Sequence, residues 1–207
     1  MATNTQVASV ILLLGALICG FVAMSTVYWA GDVGSQRGKS VGLWQACEYV
    51  EGRTMECFRV LGLKFYETET EKLDWFKAVQ GIYTLSLLCL IVSLVCSWSG
   101  VCVRTASYSL TRAAMFLSLA SVVFCTIALI IFGARTLDEI RFYITSAGQP
   151  MWSFYMAMVC GILQLFALPC LLITQNQIME NNLEKRGPLL VSRMTLHTRS
   201  MHSMSGI

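Results

Sequence analysis

The sequence predicts an all-α membrane fold: a four-transmembrane-helix bundle with a small extracellular antiparallel β-sheet stapled by one disulfide. Three observations carry that expectation. Four apolar blocks reach membrane length without one charged residue, a long polar segment separates the first two, and that segment holds a close pair of cysteines. The chain has 207 residues, 56% hydrophobic and 13% charged. The charged share is about half that of an ordinary soluble domain.

The blocks run about Val7–Tyr28, Ala78–Trp98, Ala113–Ala134 and Met151–Thr174. About 22 residues at ~1.5 Å each cover roughly 33 Å, enough for a hydrocarbon core of about 30 Å. Buried helices of a soluble bundle would instead show a polar face at helical spacing. The first block has small residues near its end (Ala23, Ser25), as a cleaved signal peptide would. No positive charge precedes it and its apolar run is long, so it reads as a retained signal anchor.

Four spans return the chain to its starting side. The connections are segment 29–77, a short loop 99–112, segment 135–150 and a tail 175–207. The tail and short loop together carry a net charge of about +4, and the other two segments about −1, a weak form of the positive-inside pattern. The cysteines decide the orientation. Of nine, Cys47 and Cys57 are the two in a clearly polar segment, spaced C-x9-C. Outside a membrane such a pair reads as a disulfide, which lasts only in an oxidising compartment; two free thiols in a cytosolic loop are the alternative. A disulfide places 29–77 and 135–150 outside and both termini in the cytosol. Closing so short a loop contributes about 2.5–3 kcal/mol in the chain-entropy model. No Asn-x-Ser/Thr sequence occurs, so the outer face is expected to be free of N-glycan.

Within the first outer segment, Lys39–Tyr49 and Met55–Tyr66 read as strands, with Glu51-Gly52-Arg53-Thr54 as a hairpin turn between them. Glu67–Asp74 is acid-rich and leads into the second helix. Trp29, Trp44 and Trp75 fall near the outer membrane surface, where amphipathic rings are favoured.

The order Trp29, Gly42-Leu43-Trp44, Cys47, Cys57, followed by Lys77 at the start of the second span, resembles the claudin and peripheral-myelin-protein superfamily, which includes the lens fibre membrane protein. The likeness covers the four-span layout and about the first 100 residues well, and the later half in outline. It implies an outer sheet anchored by Trp29 and the Gly42-Leu43-Trp44 triplet, a Cys47–Cys57 bridge, and a structural Lys77. The triplet and the missing glycosylation sequence are similar to claudins. The run from Trp29 to Gly42 is shorter than is usual there, which predicts abbreviated first strands. Trp152-Ser153-Phe154-Tyr155 is similar to the lens fibre protein and to claudin-like auxiliary subunits of ion channels.

The expected function is therefore non-enzymatic. Both histidines, His197 and His202, lie in the tail, so no catalytic residues, metal ligands or cofactors are assigned. With no charge inside a span, an ion path through the bundle is not expected. A junctional pore would take its selectivity from charges on the sheet. Glu48 matches a position where claudins often carry such a charge, and Glu51, Glu56 and Arg59 are further candidates; a solvated mixed-charge surface is the plainer reading. Cys96, Cys102 and Cys170, at the cytosolic ends of spans two and four, are candidates for palmitoylation. Cys19, Cys89, Cys125 and Cys160 read as small packing residues.

Residues 1–174 form the expected membrane domain. The tail, basic and rich in Ser, Thr and Met, is expected to lack regular structure and to suit anionic lipid. Its end, Ser205-Gly206-Ile207, fits a PDZ ligand. The expected partners are membrane lipid, a second copy or another claudin-like or channel protein, and a PDZ scaffold, with no nucleic acid. The expected location is the plasma membrane at cell–cell contacts. Three roles follow: a junction or adhesion protein, an auxiliary channel or receptor subunit, or a vesicle or granule membrane protein.

Overall fold

A computed structural model of the chain describes residues 4–31, 39–49, 55–59, 74–102, 108–138 and 149–204. The helices are α1 (Asn4–Ser25), α2 (Asp74–Cys102), α3 (Tyr108–Asp138) and α4 (Trp152–Met204). All four are long and apolar enough to cross a membrane, over Asn4–Ser25, Trp75–Val101, Tyr108–Arg135 and Trp152–Glu180. α1 packs most extensively on α4 and α2 on α3.

The buried residues follow a heptad rhythm. On α3, Thr111, Ala114, Ser118, Ser121, Cys125, Ala128 and Phe132 alternate steps of three and four, with Val122 buried beside them. On α4 they are Ser153, Ala157, Cys160, Gln164, Ala167, Leu171 and Thr174. α1 follows the same rhythm through Ser9, Leu13, Ala16, Gly20 and Ala23. A strict period of 3.5 residues suits left-handed supercoiling of straight helices. The seams are small and polar, while Ile11, Phe21, Phe116, Ile130 and Phe166 point outward. Lipid tails are as apolar as Leu, so sequestering large apolar side chains gives helix association no drive. Close approach of backbones and hydroxyl hydrogen bonds supply it. Ser86 Oγ donates to Ser121 O, Ser121 Oγ to Ser86 O and Ser93 Oγ to Ala114 O, each at 2.8 Å.

At one end the chain forms a five-stranded antiparallel sheet of β1 (Ala30–Gly31), β2 (Lys39–Val41), β3 (Gln45–Tyr49), β4 (Met55–Arg59) and β5 (Gln149–Pro150), in the order β4-β3-β2-β1-β5. β1 and β2 have two and three residues, as the short run from Trp29 to Gly42 requires. Cys47 and Cys57 are disulfide-bonded across directly opposite positions of β3 and β4.

Three expectations change. The single strand expected over Lys39–Tyr49 is two strands, because Gly42 N donates to Gln45 O at 2.8 Å and turns the chain between them. The second outer segment adds β5, which pairs with β1; two residues ending in proline carry no strand pattern, and Pro150 is tolerated at an edge. α4 continues past Thr174 to Met204, through the tail expected to lack regular structure; its Leu, Met, Glu, Lys and Arg favour a helix, while Gly187 and Pro188 oppose one. The expected turn at Glu51–Thr54 and the acid-rich run up to Leu73 lie outside the described residues.

Candidate functional site

The sheet stands on an aromatic layer centred on Trp29. This ring is fully buried, and its Nε1 donates to Ala23 O at 2.6 Å, satisfying a carbonyl near the end of α1. It meets Tyr83, Phe132 and Phe154 edge to face, at centroid distances of 5.3, 5.1 and 6.1 Å. Phe76 packs near Phe132 at 6.3 Å, and Trp75 against Phe76 at 5.4 Å. Edge-to-face pairs add about 0.5–1.5 kcal/mol each beyond their area burial. Trp29 therefore turns into the bundle at the sheet end, where it joins α2, α3 and α4.

The backbone of Trp29 is also part of the sheet. Its N–H donates to Val41 O at 3.1 Å, and its carbonyl accepts from Met151 N at 2.9 Å. Ser153 N donates to Tyr28 O at 3.1 Å, and Thr26 Oγ1 to Ser153 Oγ at 2.7 Å. One short stretch thus ties the exit of α1 to β2, to β5 and to the start of α4.

Each member of the Gly42-Leu43-Trp44 triplet has a separate task. A Cβ on Gly42 would stand 2.5 Å from Thr26 O and 2.6 Å from Val27 Cα, both backbone atoms, so only glycine lets the turn cross the end of α1. Leu43 is buried in the core with Trp29, and its carbonyl accepts from the buried amide of Gln80 on α2. Trp44 is exposed, the usual setting for a ring at a membrane interface. Lys77 is exposed near the start of α2.

The candidate charges divide between the two faces of the sheet. Register places Glu48 directly opposite Glu56 on β4 and opposite Lys39 on β2. Strand alternation puts Cys47, Cys57 and Arg59 on the other face, with Arg59 opposite Gln45. Glu56 and Arg59 are exposed. Like charges in directly opposed positions destabilise a strand pair, while the opposite-charge position of Lys39 across from Glu48 favours it. Glu51 lies outside the described residues.

The palmitoylation candidates sit at the end of the bundle away from the sheet. Thr5 on α1 meets Gln177 and Thr174 of α4 there, each contact at 3.3 Å. Cys96 and Cys170 are free and partly buried, and Cys102 is the last residue of α2. Ser205, Gly206 and Ile207 lie outside the described residues. Among the described residues no group of three His, Cys, Asp or Glu side chains could hold a metal.

Sequence reasoning missed Gln80 and Thr26, and the structural roles of Ser153, Tyr83, Phe132 and Phe154. Gln80 carried a usable signal, as a strongly polar residue inside an otherwise apolar span. The aromatic residues carried none, because buried and lipid-facing rings look alike in a uniformly apolar run.

Comparison with known proteins agrees with this architecture. Residues 4–168, well over half of the chain, match the model of the PMP-22/EMP/MP20/Claudin family. A search of curated proteins returns no match.

Proposed function

Since the chain belongs to the PMP-22/EMP/MP20/Claudin family, whose members are not enzymes, we propose that it is a junction or adhesion protein of the plasma membrane. It acts through lateral and trans contacts of its sheet, as a paracellular barrier or pore. The sheet faces outward and both termini are cytosolic, because the Cys47–Cys57 disulfide needs an oxidising side. The observation that carries the reading is the Glu48–Glu56 row beside Lys39, held in register by that disulfide on the two strands at one edge of the sheet. Acidic residues opposed on these two strands, with Glu56 exposed on the edge strand, suit contact with a basic partner surface or selection of cations between cells.

Paracellular resistance across an epithelial layer tests this. Wild-type protein alters resistance and ion preference, and Glu48→Gln/Glu56→Gln shifts the preference away from cations at equal surface expression. An unchanged layer would remove the junctional reading.

A second reading, an auxiliary subunit of a channel or receptor, draws on α4. Trp152 and Tyr155, in the segment similar to such subunits, are exposed on the flank of the bundle. Affinity capture in mild detergent separates the two. A co-purifying pore-forming protein supports the subunit, and capture of the chain alone with PDZ proteins supports the junction. Palmitoylation of Cys96, Cys102 or Cys170 and PDZ capture of Ser205-Gly206-Ile207 accompany either role, and acyl-exchange mass spectrometry and a C-terminal deletion test them.

A further inference from the structure

Two buried oxygens inside the bundle lack partners. Ser118 Oγ on α3 and Gln164 Oε1 on α4 belong to fully buried residues of the seams, and neither atom has a hydrogen-bond partner among the described residues. Elsewhere in the spans hydroxyls fall back on their own helix. Thr84, Thr126 and Thr174 each donate to the carbonyl four residues earlier, at 2.7, 2.8 and 2.9 Å. Ser118 does not, and the carbonyl it would use, Ala114 O, already accepts from Ser93 Oγ at 2.8 Å. Gln164 directs its Nε2 to Cys160 Sγ at 3.2 Å, which leaves the amide oxygen over. Turning the amide over would exchange oxygen and nitrogen and still leave one polar atom without a partner.

The two residues are level with one another. α3 and α4 run antiparallel, and direct contacts bracket this depth. On the sheet side Cys125 Sγ donates to Ala157 O at 3.8 Å, and on the tail side Gln175 Nε2 donates to Tyr108 Oη at 3.1 Å. Ser118 stands one heptad toward the tail from Cys125, and Gln164 one heptad toward the tail from Ala157. The next seam positions, Ala114 and Ala167, are small and offer neither atom a side-chain partner.

A buried amide oxygen needs a donor, and a buried hydroxyl needs an acceptor for its proton. Hydrocarbon supplies neither. A guest that serves both groups must donate and accept, and it must be small. It must also be uncharged, because no buried residue of either seam carries a charge to balance an ion. Water has that chemistry, and two polar partners suffice to hold one in a protein interior. Toward the tail the seams also hold Thr111 and Thr174, and Ser97 Oγ and Gln175 Oε1 are likewise unpartnered, so the approach from that membrane surface is polar. At the sheet end Trp29, Tyr83 and Phe132 close the bundle.

We propose that one water molecule is bound between Ser118 and Gln164, accepting from Ser118 Oγ and donating to Gln164 Oε1, as a structural link between α3 and α4 within the membrane. The pairs α1–α4 and α2–α3 are each joined by direct hydrogen bonds, Thr5 to Gln177 and Ser86 to Ser121. The water joins one pair to the other, between the direct contacts at Cys125 and Gln175.

The test is water-edited solid-state NMR of the full chain in phosphatidylcholine vesicles, with nitrogen-labelled glutamine side chains. Gln164→Leu identifies the Gln164 signal by its loss. The expected result is rapid transfer of magnetisation from water to the Gln164 amide protons in the wild-type protein and loss of that transfer in Ser118→Ala, with the Cys47–Cys57 bridge intact as the mark of a folded chain. Thermal unfolding in detergent gives a second measurement. The midpoint shifts of Ser118→Ala and Gln164→Leu should not add in the double variant, because each removes the same water. Absence of transfer in the wild-type protein, transfer that survives in Ser118→Ala, or additive midpoint shifts would each overturn the proposal.

Discussion

The two ends of the bundle are held together differently. Toward the sheet, Trp29, Tyr83, Phe132 and Phe154 fill the space between helices with interlocked rings. Toward the other end, the seams shrink to Ser93, Ala114, Ser118, Ala167 and Thr174, and Ser93 and Thr174 hold neighbouring helices by hydrogen bonds to Ala114 O and Thr5 Oγ1. The first arrangement spreads the helices enough to carry a sheet and ties it to three of them through one indole. The second brings backbones close, which lipid permits and large side chains would prevent. The aromatic layer is thus the base of the sheet, and the small-residue seams are the membrane anchor.

Substitutions at the two ends should therefore differ in size. Trp29→Ala removes the shared ring and the hydrogen bond to Ala23 O, and should cost about 3–5 kcal/mol. Thermal unfolding in detergent reads it, and a small loss would mean that the sheet stands without its aromatic base. Cys47→Ser/Cys57→Ser should cost about 2.5–3 kcal/mol, and limited proteolysis should show cutting within 39–59 while the helices stay protected. Gly42→Ala forces a methyl against the backbone of Thr26 and Val27, and overpacking of that kind costs about 1–3 kcal/mol. A neutral result would mean that the turn does not cross the end of α1 closely. At the seams, a double-mutant cycle of Ser86→Ala and Ser121→Ala should give a coupling of only about 0.6 kcal/mol, the average for such pairs in membranes. A coupling as large as the Trp29 effect would erase the distinction between the ends.

These same two regions differ in how far they could be read in advance. Spans were plain because lipid demands an unbroken apolar run, and Trp29, Gly42-Leu43-Trp44, Cys47 and Cys57 marked the sheet. Which helix faces meet was hidden, because a span apolar all round shows little amphipathic contrast. Cys125 and Cys160 were legible as packing residues, whereas the Ser seams emerge only once packing separates small from large. Trp29 looked like an interfacial ring for a related reason: position along the chain fixes its depth but not whether it turns toward lipid or toward Tyr83. The turn at Gly42 and the strand Gln149–Pro150 were also hidden, since both depend on contacts between segments distant in sequence.

Under the proposed function, the sheet, held by its disulfide, is a surface that meets another copy across the gap between cells. Fluorescently tagged protein in mixed cultures of expressing and non-expressing cells tests it most directly. The protein should be enriched at borders shared by two expressing cells and not at borders with a non-expressing neighbour, and Cys47→Ser/Cys57→Ser should lose that enrichment at equal surface amount. Uniform distribution of the wild-type protein over the surface, or enrichment that survives loss of the disulfide, would contradict it.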